Sequence, residues 1–98
     1  MKRLACGALL ALLAQGAFGA DMMKGGQLYR MHCANCHGAS GISTMPNAPS
    51  FARGERMMQP DPMLLGSIRR GRGAMPGFFG VLSDRDTLDV IAYMRSMR

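Results

Sequence analysis

The stretch His32-Cys33-Ala34-Asn35-Cys36-His37-Gly38 places two thiols three residues apart and an imidazole directly after the second. This is the C-x-x-C-H pattern of covalent haem attachment. Its spacing has a chemical reason. Two cysteines so placed can each add to one vinyl group of a single porphyrin, forming two thioethers, while the next side chain turns its imidazole beneath the ring toward the iron. Cys33 and Cys36 are therefore read as the attachment points of one haem c, and His37 as an axial iron ligand. The competing readings are weaker. A disulfide here closes a very small loop and adds little stability. A redox dithiol of this spacing is expected beside a βαβ pattern, which the chain lacks. A structural zinc site needs four ligands, usually with a second pair well separated, but the two histidines, His32 and His37, flank these same cysteines. His32 is read as a helix-surface residue outside the site.

Upstream, the N-terminus reads MKRLACGALLALLAQGAFGAD. Lys2 and Arg3 precede eleven apolar or small residues, Leu4 to Ala14, and then Ala17-Phe18-Gly19-Ala20, the order of a secretory signal peptide. Eleven apolar residues fall short of the roughly 17 to 25 that span a bilayer, so cleavage is expected in place of membrane insertion. Cleavage after Gly19 leaves small residues at both recognition positions; cleavage after Ala20 is the other option. Residues 1–19 are thus the expected signal and 20–98 the expected domain. Cys6 precedes most of the apolar run, which argues against lipid attachment.

The chain has 98 residues, 48% hydrophobic and 18% charged, which excludes two domains. Removing residues 1–19 leaves 79 residues and, with Lys2 and Arg3 gone, lowers the formal charge from +6 to +4. A core this small commonly needs a staple, and a covalent cofactor supplies one.

Periodicity gives helices. Asp21 caps a first helix running to about Cys33, with Gly25, Leu28, Tyr29 and His32 recurring at helical spacing. Residues 38–60 carry three glycines and three prolines and read as loop, wrapped around the cofactor. Asp61-Pro62 provides a cap and a first-turn proline for a short helix to about Arg70, ended by Gly71. Ser83-Asp84-Arg85-Asp86 resembles a capping box and opens a last helix to about Met97. On it Leu88, Val90, Ile91, Met94 and Met97 form an apolar stripe, and Arg85, Asp89 and Ser96 are expected to face away.

Taken together, these segments resemble the class I cytochromes c over nearly all of the mature chain. GGQLYRMHCANCHG from Gly25 to Gly38 is similar to that family's first helix and attachment site, NAPSF from Asn47 to Phe51 to the loop whose proline carbonyl accepts the histidine's second N–H, GRGAMPGF from Gly71 to Phe78 to the methionine-ligand loop, and LSDRDTLDVIAYMRSM to the last helix. The resemblance implies an all-α fold of three to four helices around one haem, a close helix crossing at Gly25 with Tyr29 packed nearby, and Pro49 as the partner of His37. It also implies Met75 as the second axial ligand. Met75 follows His37 by 38 residues and stands between glycines and Pro76-Gly77, so a loop presents its side chain. The other methionines have duller expected places. Met94 and Met97 belong to the core stripe, Met22, Met23 and Met31 to the first helix, and Met57, Met58 and Met63 are expected along the haem pocket. Leu64, Leu65, Ile68, Phe78, Leu82 and Ile91 are the expected apolar shell.

His/Met ligation fills both axial positions and raises the reduction potential, the arrangement of an electron carrier and not of an enzyme. Arg53, Arg56, Arg69, Arg70 and Arg72 cluster before the ligand loop, suited to haem propionates or an acidic redox partner. Export and few aromatics argue against nucleic acid. A monomer is expected. Within the family, the chain resembles the short periplasmic cytochromes c that accompany haem-containing nitrite reductase in denitrifying bacteria, which implies a periplasmic carrier donating electrons to that enzyme. A respiratory-oxidase donor and an accessory role in maturing the reductase's cofactor are its rivals. From other classes, a haem enzyme or gas-ligand sensor with a labile Met75 bond would bind carbon monoxide, and a soft-ligand copper protein would lack haem bands.

Overall fold

The computed structural model describes residues 19–98; the expected signal segment lies, but for Gly19, outside the described residues. The chain forms α1 (Met22–His32), α2 (Ala34–His37), a 3-10 turn (Phe51–Arg53), α3 (Asp61–Arg70) and α4 (Asp84–Arg95). Among the described residues there is no strand, only isolated bridges joining Arg72 to Met75 and Phe79 to Leu82. The fold is all-α, as expected.

Capping chemistry sets the helix starts. The Asp21 carboxylate accepts from the Lys24 N–H at 3.0 Å, and the Ser83 hydroxyl accepts from the Asp86 N–H at 3.0 Å. The start of α3 corrects the expectation. Pro60 is its cap and Asp61 its first residue, without a side-chain capping bond; the acid there meets the positive end of the helix. The four-residue α2 was not foreseen, because too few residues are involved to show a period.

α1 crosses α4, and α3 packs on α4 as well. Tyr29, Val90 and Ile91 fill the crossing and are essentially inaccessible, with Leu64 and Ile68 of α3, Phe51, Met57, Phe78 and Met94 completing the core. Leu88 on the expected stripe is only half-buried. Asp89 does not face away as expected: it is buried, and its Oδ1 accepts from the Asp21 N–H at 2.9 Å, tying the start of α1 to the middle of α4. A helical wheel separates polar from apolar residues but cannot foresee a polar side chain that finds a buried donor on another element.

Candidate functional site

Cys33 ends α1 and Cys36 and His37 lie on α2, so one turn of chain carries all three groups of the motif. Both cysteines, His37 and Met75 line one cleft of about 440 Å3, within the range of small-molecule and cofactor sites. Residues far apart in sequence thus meet at a single cavity.

His37 is held from two sides. Its Nδ1–H donates to the Pro49 carbonyl at 3.0 Å, and its ring stacks on Phe51 with centroids 4.5 Å apart and planes 23° apart. With the proton on Nδ1, the Nε2 lone pair is free to bind a metal, the usual arrangement for a ligating histidine. The Tyr29 hydroxyl donates to the Gly38 carbonyl at 2.7 Å, which fixes the chain just after His37. Burial pushes the Tyr29 hydroxyl up to about 12. Burial, with the neighbouring Cys36, also pushes the Cys33 thiol up to about 11. A reactive redox cysteine has a lowered thiol pKa, and Cys33 does not carry that mark.

Met75 arrives on a loop pinned at its base. Phe78 N–H donates to the Ile68 carbonyl at 2.9 Å and Phe79 N–H to the Arg69 carbonyl at 3.2 Å, so the chain leaving the loop lies along the end of α3. Gly71 (φ 78°) and Gly77 make that approach possible: a Cβ on Gly71 would stand 2.5 Å from the Gly77 nitrogen. Between them Arg72 and Met75 exchange backbone bonds of 3.0 and 2.9 Å, a tight hairpin with Met75 at its end.

The walls differ in part from expectation. Leu64, Ile68 and Phe78 line the cleft, whereas Leu82 and Ile91 serve the core and Leu65 is only half-buried. Met57, Met58 and Met63 do not line it. Met57 is buried elsewhere, and Met58 and Met63 are 93% and 58% exposed. Met45 and Met94 line it instead. His32, expected outside the site, also lines it, with its ring edge-on to Phe78 at 5.6 Å. Met45 to Pro49 also line the cleft, a stretch with no helical or strand period for sequence reading to use. Sequence reading has instead the glycine- and proline-rich composition of residues 38–60 and the resemblance of NAPSF to the histidine-partner loop; Asn47 adds a residue type that tolerates the left-handed backbone it adopts at φ 68°.

Charge enters at Arg56 and Arg72, both lining the cleft. Arg69 is engaged elsewhere, 3.0 Å from Asp84 and over the Phe79 ring. Arg56 sits at φ 67°, unusual for a side-chain-bearing residue. Its neighbours are anchored by Arg95 of α4, which donates to the Met57 carbonyl at 2.6 Å and the Gln59 carbonyl at 2.8 Å and pairs with Asp61 at 2.7 Å.

Comparison with known proteins agrees with this geometry. Residues 20–94 match the family model described as cytochrome C oxidase, cbb3-type, subunit III. The chain is 33% identical over 89 residues to cytochrome c6 of Thermosynechococcus vestitus, covering 89% of this chain and 80% of that protein. The chain is a class I c-type cytochrome.

This cytochrome is also 35% identical over 100 residues to cytochrome c4 of Pseudomonas aeruginosa, matching along its whole length and spanning half of that protein. Among solved structures, the KustC0563 c-type cytochrome superposes with a TM-score of 0.67 at 25% identity, over 76% of this chain and 96% of that one. Cytochrome c6 from the diatom Phaeodactylum tricornutum gives 0.63 at 27%, over 79% and 93%. This cytochrome is accordingly an electron-transfer protein with one covalently attached haem c, and not an enzyme.

Proposed function

We propose that this cytochrome is an exported, monomeric one-electron carrier whose haem is attached through Cys33 and Cys36 and ligated axially by His37 and Met75. The observation that carries the reading is the convergence of these four residues on one cleft, with the Nδ1–H of His37 committed to Pro49. When bound, the haem supplies a one-electron redox couple, and methionine ligation favours the reduced state. The protein's own residues do the rest. Leu64, Ile68, Phe78 and Met94 wall the cleft with apolar surface that excludes water. Arg56 and Arg72 bring positive charge to it, suited to the haem carboxylates and to an acidic partner.

The export-like N-terminus supports a bacterial periplasmic location. The segments GRGAMPGF and LSDRDTLDVIAYMR support a denitrification role with haem-containing nitrite reductase as electron acceptor. The test is an absorption spectrum of the exported protein, oxidised and reduced, with and without carbon monoxide. Sharp c-type bands unmoved by carbon monoxide, with a weak far-red methionine-to-iron band when oxidised, are expected. Ready carbon monoxide binding overturns the carrier in favour of a sensor or enzyme. Mixing the reduced protein with nitrite reductase or with a terminal oxidase then distinguishes the acceptors by rate. Electron transfer to neither, with loss of reductase cofactor in a strain lacking this chain, marks the accessory role.

A further inference from the structure

The peptide bond between Pro49 and Ser50 is engaged at both ends. Its carbonyl accepts the Nδ1–H of His37 at 3.0 Å, and its N–H donates to Oε1 of Glu55 at 2.7 Å. Imidazole, peptide and carboxylate therefore stand in series. The local chain builds this arrangement: Ser50 begins the 3-10 turn, the backbone reverses through Gly54 (φ 80°), and the Glu55 N–H returns to the Ser50 carbonyl at 3.4 Å. Ser50 is buried, and its hydroxyl accepts from the Ser43 N–H at 2.9 Å, so the peptide is fixed from a third direction.

We propose that Glu55 is a positioning residue that tunes the haem iron through the Pro49–Ser50 peptide and His37. The inference rests on His37 being an axial ligand. Its basis is electrostatic. A carboxylate accepting from an amide N–H forms a stronger bond than a neutral acceptor does, and hydrogen bonds in series polarise one another. The Glu55 charge draws the amide proton and leaves more negative charge on the Pro49 oxygen, which pulls harder on the Nδ1 proton of His37. The imidazole becomes a better electron donor to a bound metal. A better donor favours the more positive, oxidised iron, so Glu55 holds the reduction potential down. A carboxylate acting only through space behaves differently. Glu55 is largely exposed, and such a field is screened by salt over about 8 Å at 0.15 M, whereas polarisation through short bonds survives salt.

The experiment compares Glu55→Gln with the wild-type holoprotein. The glutamine oxygen keeps an acceptor for the Ser50 N–H and removes the charge, so the turn is retained. The reduction potential is expected to rise, and the rise to persist from low to high salt. In proton NMR of the reduced protein, the Ser50 amide and the His37 Nδ1–H resonances are expected to move upfield. An exposed carboxylate elsewhere serves as control: Asp84→Asn should leave both resonances in place, with any potential change lost in high salt. Unmoved resonances in Glu55→Gln, or a potential change that salt abolishes, overturn the proposal. If the variant yields no holoprotein, the wild-type Ser50 amide decides: a resonance well downfield with slow exchange supports the charge-assisted bond, and one in the ordinary amide range overturns it. A failure of His37 ligation shows earlier and separately, as a wild-type spectrum without low-spin c-type bands.

Discussion

Gly25 of α1 lies against the backbone of Asp89 on α4 so closely that a Cβ at Gly25 would fall 2.2 Å from the Asp89 carbonyl oxygen. The crossing that orients the attachment turn thus depends on a missing side chain.

Gly25→Ala gains about 1 kcal/mol of helix propensity. Against this stands about 3 kcal/mol of overpacking, because the obstructing atom is backbone and cannot rotate away. A net loss of about 2 kcal/mol is expected in denaturant unfolding of the holoprotein. Gly26→Ala should cost less than Gly25→Ala, since its Cβ would meet side chains and not backbone, the Tyr93 ring at 2.9 Å and the Arg30 guanidinium at 3.2 Å, which can shift.

Tyr29→Phe removes the donor to the Gly38 carbonyl and should cost about 1 to 2 kcal/mol. It also changes the alkaline limb. Burial raises the folded Tyr29 hydroxyl to about 12 from its ordinary 10, so the folded state retains a proton that the unfolded chain releases. That stability is complete below pH 10 and is lost as pH rises toward 12. Unfolding midpoints measured across this window should fall less steeply in Tyr29→Phe than in the wild type.

Lys24 and Asp86 form an ion pair of 2.8 Å between α1 and α4. The hydrogen bond from Lys24 and its charge hold the Asp86 carboxyl below its ordinary range, and the same bond holds Lys24 above its own. The Asp86 contribution is present above the unfolded carboxyl value near 3.8 and is lost as pH falls through the lowered folded value; that of Lys24 is present below 10.5 and is lost as pH rises through the raised one. Both groups are solvated, so Lys24→Met should have a small effect between these limits, and added salt should erase it.

Met75→Ala should leave the covalent haem in place, lower the reduction potential and open the iron to carbon monoxide. Met58→Ala should do none of this, because Met58 is almost wholly exposed. Carbon monoxide difference spectra of the two variants decide between them, and an effect at Met58 alone would overturn the ligand assignment.

Arg56→Gln combined with Arg72→Gln removes the charge lining the cleft. Oxidation by anionic ferricyanide should slow several-fold at low salt and converge with the wild type at high salt. Arg69→Gln should matter less, because Asp84 already offsets its charge.

Much of this site was legible as a pattern of residue types. The motif from Cys33 to His37, the loop setting of Met75 and the caps at Asp21 and Ser83 are local features, and local chemistry reads directly from neighbouring residues. The misreadings share a cause. Asp89 looked solvated because a helical period cannot show that the Asp21 N–H arrives from 68 residues away. Met57, Met58 and Met63 looked like pocket residues by proximity in sequence, but the backbone turns through Arg56 and Arg95 grips the carbonyls on either side of Met58, and together these direct the segment elsewhere.

The sequence by itself determined the helical class, the attachment chemistry and the kind of ligands on offer, because thiol spacing, imidazole position and apolar period are properties of short stretches. Only the tertiary structure decided which methionines meet the cleft, which arginines line it and that Glu55 stands behind the peptide that His37 grips. Those outcomes depend on loops closed by backbone hydrogen bonds and buried polar contacts between distant residues, whose partners no local period specifies.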